Sequence, residues 1–236
     1  MTGSQRDLRE FNEESREATT EPHVKELSVL YGKRRDEIEN RLAEFRDIWQ
    51  RGTDEELFFE LAFCLCTPQS SALVCDKTVR ELRERDLLHQ GSHEEILQVL
   101  ESHGVRFPEN KSRWIVQARR KFLTSEPSLR RQLEELADEP SALRDWLQQE
   151  VLGLGLKESS HFIRNIGLGE ELAILDRHIL NNLVRLGIIE SIPKSLSRTR
   201  YLEIEKRLWD FCRAVGIPMG HMDLLLWARQ TGFVFK

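Results

Sequence analysis

The stretch that decides the fold is Glu150 to Gly167, which reads EVLGLGLKESSHFIRNIG. It contains the end of a predicted helix, two glycines that flank one apolar residue, and the start of a second, amphipathic helix. A hairpin this tight leaves backbone N–H groups unpaired at the start of the second helix, where the helix dipole also favours an anion. Gly153 and Gly155 are therefore candidate positions for binding a phosphate. The alternative is an ordinary turn between two helices, with glycine as the C-cap.

Lys157 lies two residues after Gly155, in the first turn of that second helix. The dipole at a helix N-terminus disfavours a cation, so a contribution to stability explains a lysine poorly at this position. An amine that is partly buried in a cleft is suited to act as a nucleophile. We therefore interpret Lys157 as a catalytic residue, and the alternative is a solvated lysine without a role.

Asp176 follows nineteen residues later, after the apolar approach Ala173 to Leu175 and at the start of the next predicted helix. Its simplest role is that of an N-cap. A capping aspartate is held rigid, so it could also face Lys157 and stabilise a positively charged sugar. The two roles are compatible, and we expect both.

Apolar residues recur at helical spacing along almost the whole chain, without a convincing strand pattern, so the sequence predicts an all-α protein. No apolar run approaches the length needed to span a bilayer. The chain outside the hairpin and the segment around Asp176 is predicted to form helices at about 23–50, 53–66, 71–85, 92–102, 109–123, 127–137, 141–151, 198–215 and 219–230.

We expect these helices to form two lobes with a cleft between them. One lobe is predicted from residues 22–64 and 176–236, and the other from residues 65–175, ending in the hairpin at about 141–167. Residues 1–21 are polar and mixed in charge, which predicts a flexible acidic leader.

The net charge of −5 is distributed unevenly. The first 60 residues carry 10 basic against 16 acidic side chains, and the remainder carries 25 against 24. Because the acidic excess belongs to the start of the chain, the net charge neither excludes nor favours a polyanionic partner.

Metal ligands are also sparse in the sequence. Its four cysteines are read as reduced core residues, because the fourth lies too far along the chain for an iron-sulfur site; they are Cys64, Cys66, Cys75 and Cys212. His161 and His178 lack a third nearby ligand for zinc. We therefore expect neither a metal site nor a cofactor.

The hairpin and the following aspartate resemble those of the helix-hairpin-helix DNA glycosylases. Within that group, the sequence is most similar to the small 8-oxoguanine DNA glycosylase/lyases of the second type, found in archaea and some bacteria. The resemblance covers about residues 53–236. Its most specific segments are Phe63–Ser71, Gly153–Lys157, Ala173–His178 and Trp227–Lys236.

The resemblance implies that Lys157 attacks C1′ of the damaged nucleotide, releases the base as a Schiff base forms, and then allows strand cleavage by β-elimination, with Asp176 as its carboxylate partner. It also implies that the closing segment covers the flipped base. The Trp227 indole would stack on the base, and a terminal carboxylate of Lys236 would lie near its edge. We count Pro68 among the base-binding residues. The alternative for Trp227 is a core position on an amphipathic helix.

Gln69, Arg106 and Phe107 are the candidates for contacting the opposite DNA strand. An exposed Phe ring can replace lost base stacking while a neighbouring guanidinium bonds the orphaned base. The alternative for Phe107 is a hydrophobic staple at the helix that starts near Pro108. A basic stretch on that helix either contacts DNA or is a solvated face; it consists of Lys111, Arg113, Arg119, Arg120 and Lys121.

The sequence thus predicts a bifunctional base-excision repair enzyme that flips out and excises 8-oxoguanine and then cleaves the strand. The alternatives are the same scaffold acting on another damaged base, and a non-enzymatic helix-hairpin-helix DNA-binding protein. The expected partner is double-stranded DNA that contains oxidised guanine, with no role for a membrane. We expect a monomer in the cytoplasm, associated with the nucleoid.

Overall fold

A computed structural model describes the backbone of residues 4–236 and the side chains of residues 21–236. Within these limits the chain is helical and has no strand, which confirms the predicted all-α class. The predicted leader, residues 1–21, lies outside the described side chains except for Glu21, and it stays a prediction. The helices are α1 Ser4–Arg51, α2 Asp54–Cys66, α3 Ala72–Glu84, α4 Leu87–Gln90, α5 His93–Ser102, α6 Pro108–Phe122, α7 Leu129–Glu134, α8 Pro140–Glu150, α9 Leu156–Asn165, α10 Arg177–Arg185, α11 Arg198–Val215 and α12 Met219–Thr231.

The helices fall into two compact units. Unit 1 comprises Met1–Arg41 and Leu175–Phe235, and unit 2 comprises Leu42–Ile174 together with Lys236. In the division expected from the sequence, residues 42–64 instead belong to the same lobe as residues 176–236. Which segments of the chain fold independently stays a prediction. No described helix combines the length and the apolar character that crossing a membrane requires.

Helix α2 forms the centre of unit 2. Every residue from Leu57 to Cys66 is buried, and the helix packs against α3, α6, α7 and α9. A helix that is apolar on nearly all faces has to be buried in this way. Its start is fixed by a capping box, in which the Thr53 hydroxyl accepts from the Glu56 N–H at 3.3 Å and the Glu56 carboxylate accepts from the Thr53 N–H at 2.8 Å.

Unit 1 is built around α12, which packs against α10 and α11. Two contacts attach this region to the first part of α1. Tyr31 Oη and His221 Nδ1 lie 3.0 Å apart in a hydrogen bond, and the Arg34 guanidinium donates to the Gly232 carbonyl at 2.6 Å. These contacts hold both ends of the helix that carries Trp227.

Gly167 allows the end of α9 to approach the backbone of α1 within unit 2. Its φ is +80°, and a Cβ added there would lie 2.5 Å from Arg46 Cα. We predict that Gly167→Ala lowers the free energy of unfolding by more than about 3 kcal/mol, since it combines a left-handed backbone with a clash against backbone atoms.

Gly104→Ala is the matched control for this substitution. Gly104 has a φ of +70° but no atom within 4 Å of an added Cβ, so only the backbone cost of about 1–2 kcal/mol is expected. Urea unfolding of both variants measures the difference. Equal losses would contradict the close approach at Gly167.

Candidate active site

The predicted hairpin lies between α8 and α9. Gly153 has a φ of +99°, and a Cβ there would lie 2.4 Å from the Trp114 ring, so both the backbone and the neighbour require glycine. Gly155 is the N-cap of α9 and provides no side chain to accept from the first-turn N–H groups. The start of α9 therefore keeps the donors that a phosphate can use.

Lys157 stands in the first turn of α9 and remains 22% exposed. Its Nζ lies 3.1 Å from Glu158 Oε1. Burial raises the pKa of Cys75 to about 11, against the opposing positive charges of Lys111 and Lys157. The Lys157 amine is therefore in a partly enclosed part of unit 2, where its charge acts on Cys75 of α3.

His161 marks the inner side of this region. It lies four residues after Lys157, which puts both side chains on the same face of α9, and its ring packs edge-on against Phe63 at 5.4 Å between centroids. Burial lowers the pKa of His161 well below its usual range, and the charges of Arg164, Lys157 and Lys236 lower it further. The imidazole is thus neutral, and the positive charges of Lys157 and Lys236 both act on it.

Lys236 belongs to the same unit and is buried. Its Nζ lies 2.9 Å from Glu60 Oε1 and 3.0 Å from Asp76 Oδ1, and 4.4 Å from the centroid of the Phe63 ring. From the sequence we expected Lys236 to act through a terminal carboxylate. The contacts of its ammonium with Glu60 and Asp76 were not foreseen. One signal was available, because Glu60 interrupts an apolar run of α2.

Asp176 is the N-cap of α10, and its Oδ1 accepts from the Ile179 N–H at 2.7 Å. The expected capping geometry is therefore present. Asp176 belongs to unit 1 and Lys157 to unit 2, so the facing arrangement of the two side chains stays a prediction.

Trp227 is half-buried on α12 of unit 1. Its ring lies edge-on to His178 at 5.7 Å between centroids. The indole Nε1 is buried and has no hydrogen-bond partner among the described residues. A core indole usually finds a partner for this donor, so the position is compatible with a role in binding a ligand.

Two loops of unit 2 carry the candidates for the opposite strand. Gln69 and Phe107 are both exposed and both have a φ of +57°. The Arg106 guanidinium lies 5.6 Å from the centroid of the Phe107 ring, and the Arg106 N–H donates to the Ser70 hydroxyl at 3.0 Å. The structure thus brings all three predicted residues onto adjoining loops.

The geometry rules out the alternatives given for Phe107 and Lys111 and identifies Ser71 as the N-cap of α3. Phe107 is 48% exposed, so it is not a hydrophobic staple. Ser71 is the N-cap of α3 without a side-chain capping bond, and Ser70 accepts from the neighbouring loop instead. Lys111 is not part of a solvated basic face, because it is fully buried.

The Lys111 ammonium of α6 binds the loop after α2 from inside. Its Nζ donates to the carbonyls of Cys66 and Pro68 at 2.7 and 2.8 Å and to the Ser70 hydroxyl at 3.1 Å. These three acceptors match the three donors of the group. The loop that presents Gln69 is thereby held against α6.

All four cysteines are buried and unpaired, as expected for core residues. Burial raises the pKa of the Cys212 thiol to about 12 and that of Cys64 well above its usual range. Among the described residues, no group of three His, Cys, Asp or Glu side chains is arranged to hold a metal ion.

An all-helical fold with a two-glycine hairpin and a lysine at the start of the next helix defines the class of helix-hairpin-helix DNA glycosylases. A family model described as 8-oxoguanine DNA glycosylase matches residues 38–217. The chain belongs to this 8-oxoguanine DNA glycosylase family, which confirms the resemblance seen in the sequence.

Curated relatives and solved structures agree with this assignment. A Fusobacterium nucleatum protein named 8-oxoguanine DNA glycosylase/AP lyase is 40% identical over 91% of this chain and 98% of its own, and one from Korarchaeum cryptofilum is 42% identical over 90% and 97%. The crystal structure of the Thermotoga maritima 8-oxoguanine DNA glycosylase superposes with a TM-score of 0.82 at 35% identity, covering 92% of this chain and 100% of that one. A Methanocaldococcus jannaschii 8-oxoguanine glycosylase/lyase in complex with 15mer DNA containing 8-oxoguanine gives 0.81 at 33% identity, covering 90% and 99%.

We predict that Lys111→Met loosens the loops that carry Gln69 and Arg106. The substitution removes the ammonium donor of the Pro68 carbonyl and leaves the Cys66 carbonyl with only the weak thiol donor of Cys75, and an unsatisfied buried group costs about 1–3 kcal/mol. Hydrogen exchange followed by mass spectrometry should show faster exchange of the Ser70 and Arg106 amides. Lys121→Met, a half-exposed lysine on the same helix, is the control, and equal exchange in both variants would contradict the bridging role of Lys111.

Proposed function

We propose that this 8-oxoguanine DNA glycosylase/AP lyase uses Lys157 as its nucleophile. The observation that supports this most is the position of Lys157, which lies in the first turn after the hairpin and is only 22% exposed. A lysine placed there is reachable by a nucleotide whose phosphate is bound at the start of the same helix.

The reaction that this assignment implies is balanced in two stages. The neutral Nζ attacks C1′, the bond between C1′ and the base breaks, and the base leaves with the bonding electrons and takes up a proton. Ring opening then gives an iminium ion between Nζ and C1′. Loss of a C2′ proton drives β-elimination, which breaks the C3′–O bond and cleaves the strand.

Asp176 is proposed to stabilise the positive charge that develops on the sugar. The hydrogen bond from the Ile179 N–H fixes one carboxylate oxygen, which preorganises the group without a cost at the time of reaction. The hairpin glycines, Gly153 and Gly155, are proposed to let a DNA phosphate approach the backbone closely.

The flipped base is proposed to be held by Trp227, Lys236 and Pro68. The unpartnered indole Nε1–H supports this role for Trp227, because a bound base offers acceptors. Gln69, Arg106 and Phe107 are proposed to fill the gap in the duplex and contact the opposite strand.

The proposed partner is double-stranded DNA with oxidised guanine, supported by the relative that was solved with such DNA. We further propose that the protein acts as a monomer in the cytoplasm, associated with the nucleoid.

We predict that sodium borohydride traps the wild-type protein covalently on a duplex that contains 8-oxoguanine, and that Lys157→Gln abolishes the adduct. Glutamine cannot form the iminium ion that borohydride reduces. Lys206→Gln, which changes an exposed lysine of α11, should trap like the wild type. A panel of duplexes with other damaged bases tests which lesion the protein excises. Persistence of the adduct in Lys157→Gln would overturn the assignment of the nucleophile.

We predict that Asp176→Asn slows base release by a factor of about 10²–10³ while leaving the melting temperature nearly unchanged. Asparagine caps a helix as well as aspartate does, whereas the loss of a preorganised charge raises the barrier. Single-turnover excision and thermal unfolding measure the two effects separately. A parallel loss of rate and stability would show that Asp176 is only a cap.

A further inference from the structure

Unit 2 contains a buried cluster of charges around the Lys236 ammonium, and the proposed chemistry does not use its two acids. Lys236 Nζ lies between Glu60 Oε1 of α2 and Asp76 Oδ1 of α3, at 2.9 and 3.0 Å. The side chains of Lys236 and Glu60 are only 7% and 6% exposed. The same ammonium lies over the Phe63 ring, so its remaining surroundings are apolar.

Each carboxylate in this cluster is held from a second direction. Glu60 Oε2 accepts from Asn165 Nδ2 of α9 at 2.9 Å, and Asp76 Oδ2 accepts from Arg80 Nε at 2.7 Å. Burial raises the pKa of Asp76, but the hydrogen bond from Arg80 and the charge of Lys236 together bring it below its usual value. The ammonium is therefore held between two acids with fixed positions.

Stability alone is a weak reason for such a cluster. Removing two acids and an ammonium from water costs several kcal/mol per ion, and apolar side chains of similar volume often serve a core equally well. What the charged groups provide is a defined geometry: Glu60 of α2 and Asp76 of α3 pair with the ammonium, and Asn165 of α9 fixes the Glu60 carboxylate.

That position places residue 236 near the start of α9, which carries the proposed nucleophile. The Phe63 ring connects the two, because the Lys236 ammonium lies 4.4 Å from its centroid and the His161 ring of α9 packs edge-on against it at 5.4 Å. His161 follows Lys157 by one turn of α9. Lys236 and the turn of α9 that carries Lys157 are thus connected through the Phe63 and His161 rings.

We propose that Glu60 and Asp76 are positioning residues for base recognition: by fixing the Lys236 ammonium they hold residue 236 where it meets the base to be excised beside Lys157. The inference rests on the proposed function. In this proposal the Lys236 ammonium binds inside the protein, and the remainder of residue 236 contacts the base. Strand cleavage at an abasic site has no base to position, so it does not need this cluster.

The test compares two substrates in single-turnover assays of Glu60→Gln, an almost isosteric change that removes one charge. Excision of 8-oxoguanine should fall by a factor of about 10–100, as expected for a misplacement of about 1 Å, while cleavage at an abasic site changes less than about threefold. Glu203→Gln, in an exposed ion pair with Arg200, is the matched control and should change neither rate.

A second variant guards against misfolding of the first. Glu60→Leu combined with Lys236→Met removes an acid and the ammonium together and leaves Asp76 paired with Arg80. It should fold and show the same split between the two substrates. Equal losses on both substrates would reduce the cluster to a structural role, and unchanged excision would also overturn the proposal.

Borohydride trapping of the wild type on abasic DNA separates this inference from the proposed function. If the wild type forms no adduct, the assignment of Lys157 fails. If it forms an adduct but Glu60→Gln shows no split between substrates, only the role of Glu60 and Asp76 fails.

Discussion

The Lys236 ammonium lies between the Glu60 and Asp76 carboxylates at 2.9 and 3.0 Å, inside a unit that consists mostly of apolar helix faces. Placing positive charge in such an interior requires fixed acceptors. Lys111 satisfies the same requirement with two backbone carbonyls and a hydroxyl. Both ammonium groups therefore act as structural cations. Lys157, by contrast, contacts the neighbouring Glu158 and remains partly exposed, which leaves its nitrogen free to approach a substrate.

The hairpin brings that nitrogen to its place through close approaches that only glycine allows. The Trp114 ring lies directly over Gly153, and the α1 backbone lies against Gly167 at the far end of α9. Helix α9 is thus fixed at both ends within unit 2, while the first-turn N–H groups remain open at Gly155. With the proposed anion site and the proposed nucleophile on one rigid helix, a phosphate and a sugar carbon would be held at a constant separation.

The sequence was sufficient for features that depend on near neighbours. The helical periodicity, the hairpin glycines and the cap at Asp176 are all encoded within a few residues, and the structure places each as expected. Contacts between distant segments could not be foreseen. Glu60 and Lys236 are 176 residues apart, and nothing in the local pattern around Lys111 indicates that its ammonium binds the loop after α2. The expected lesion, 8-oxoguanine, came from the family resemblance, because no residue pattern alone encodes it.

Whether Lys157 is the nucleophile, rather than Lys111 or Lys236, can be tested most directly by mapping the residue that carries the covalent adduct. The protein is reduced with borohydride on 8-oxoguanine DNA, digested with nuclease and protease, and the modified peptide is sequenced by tandem mass spectrometry. The sugar remnant is predicted on Lys157 Nζ, in the peptide that contains the start of α9. A remnant on Lys111 or Lys236 would contradict the assignment of those two ammonium groups to the protein interior.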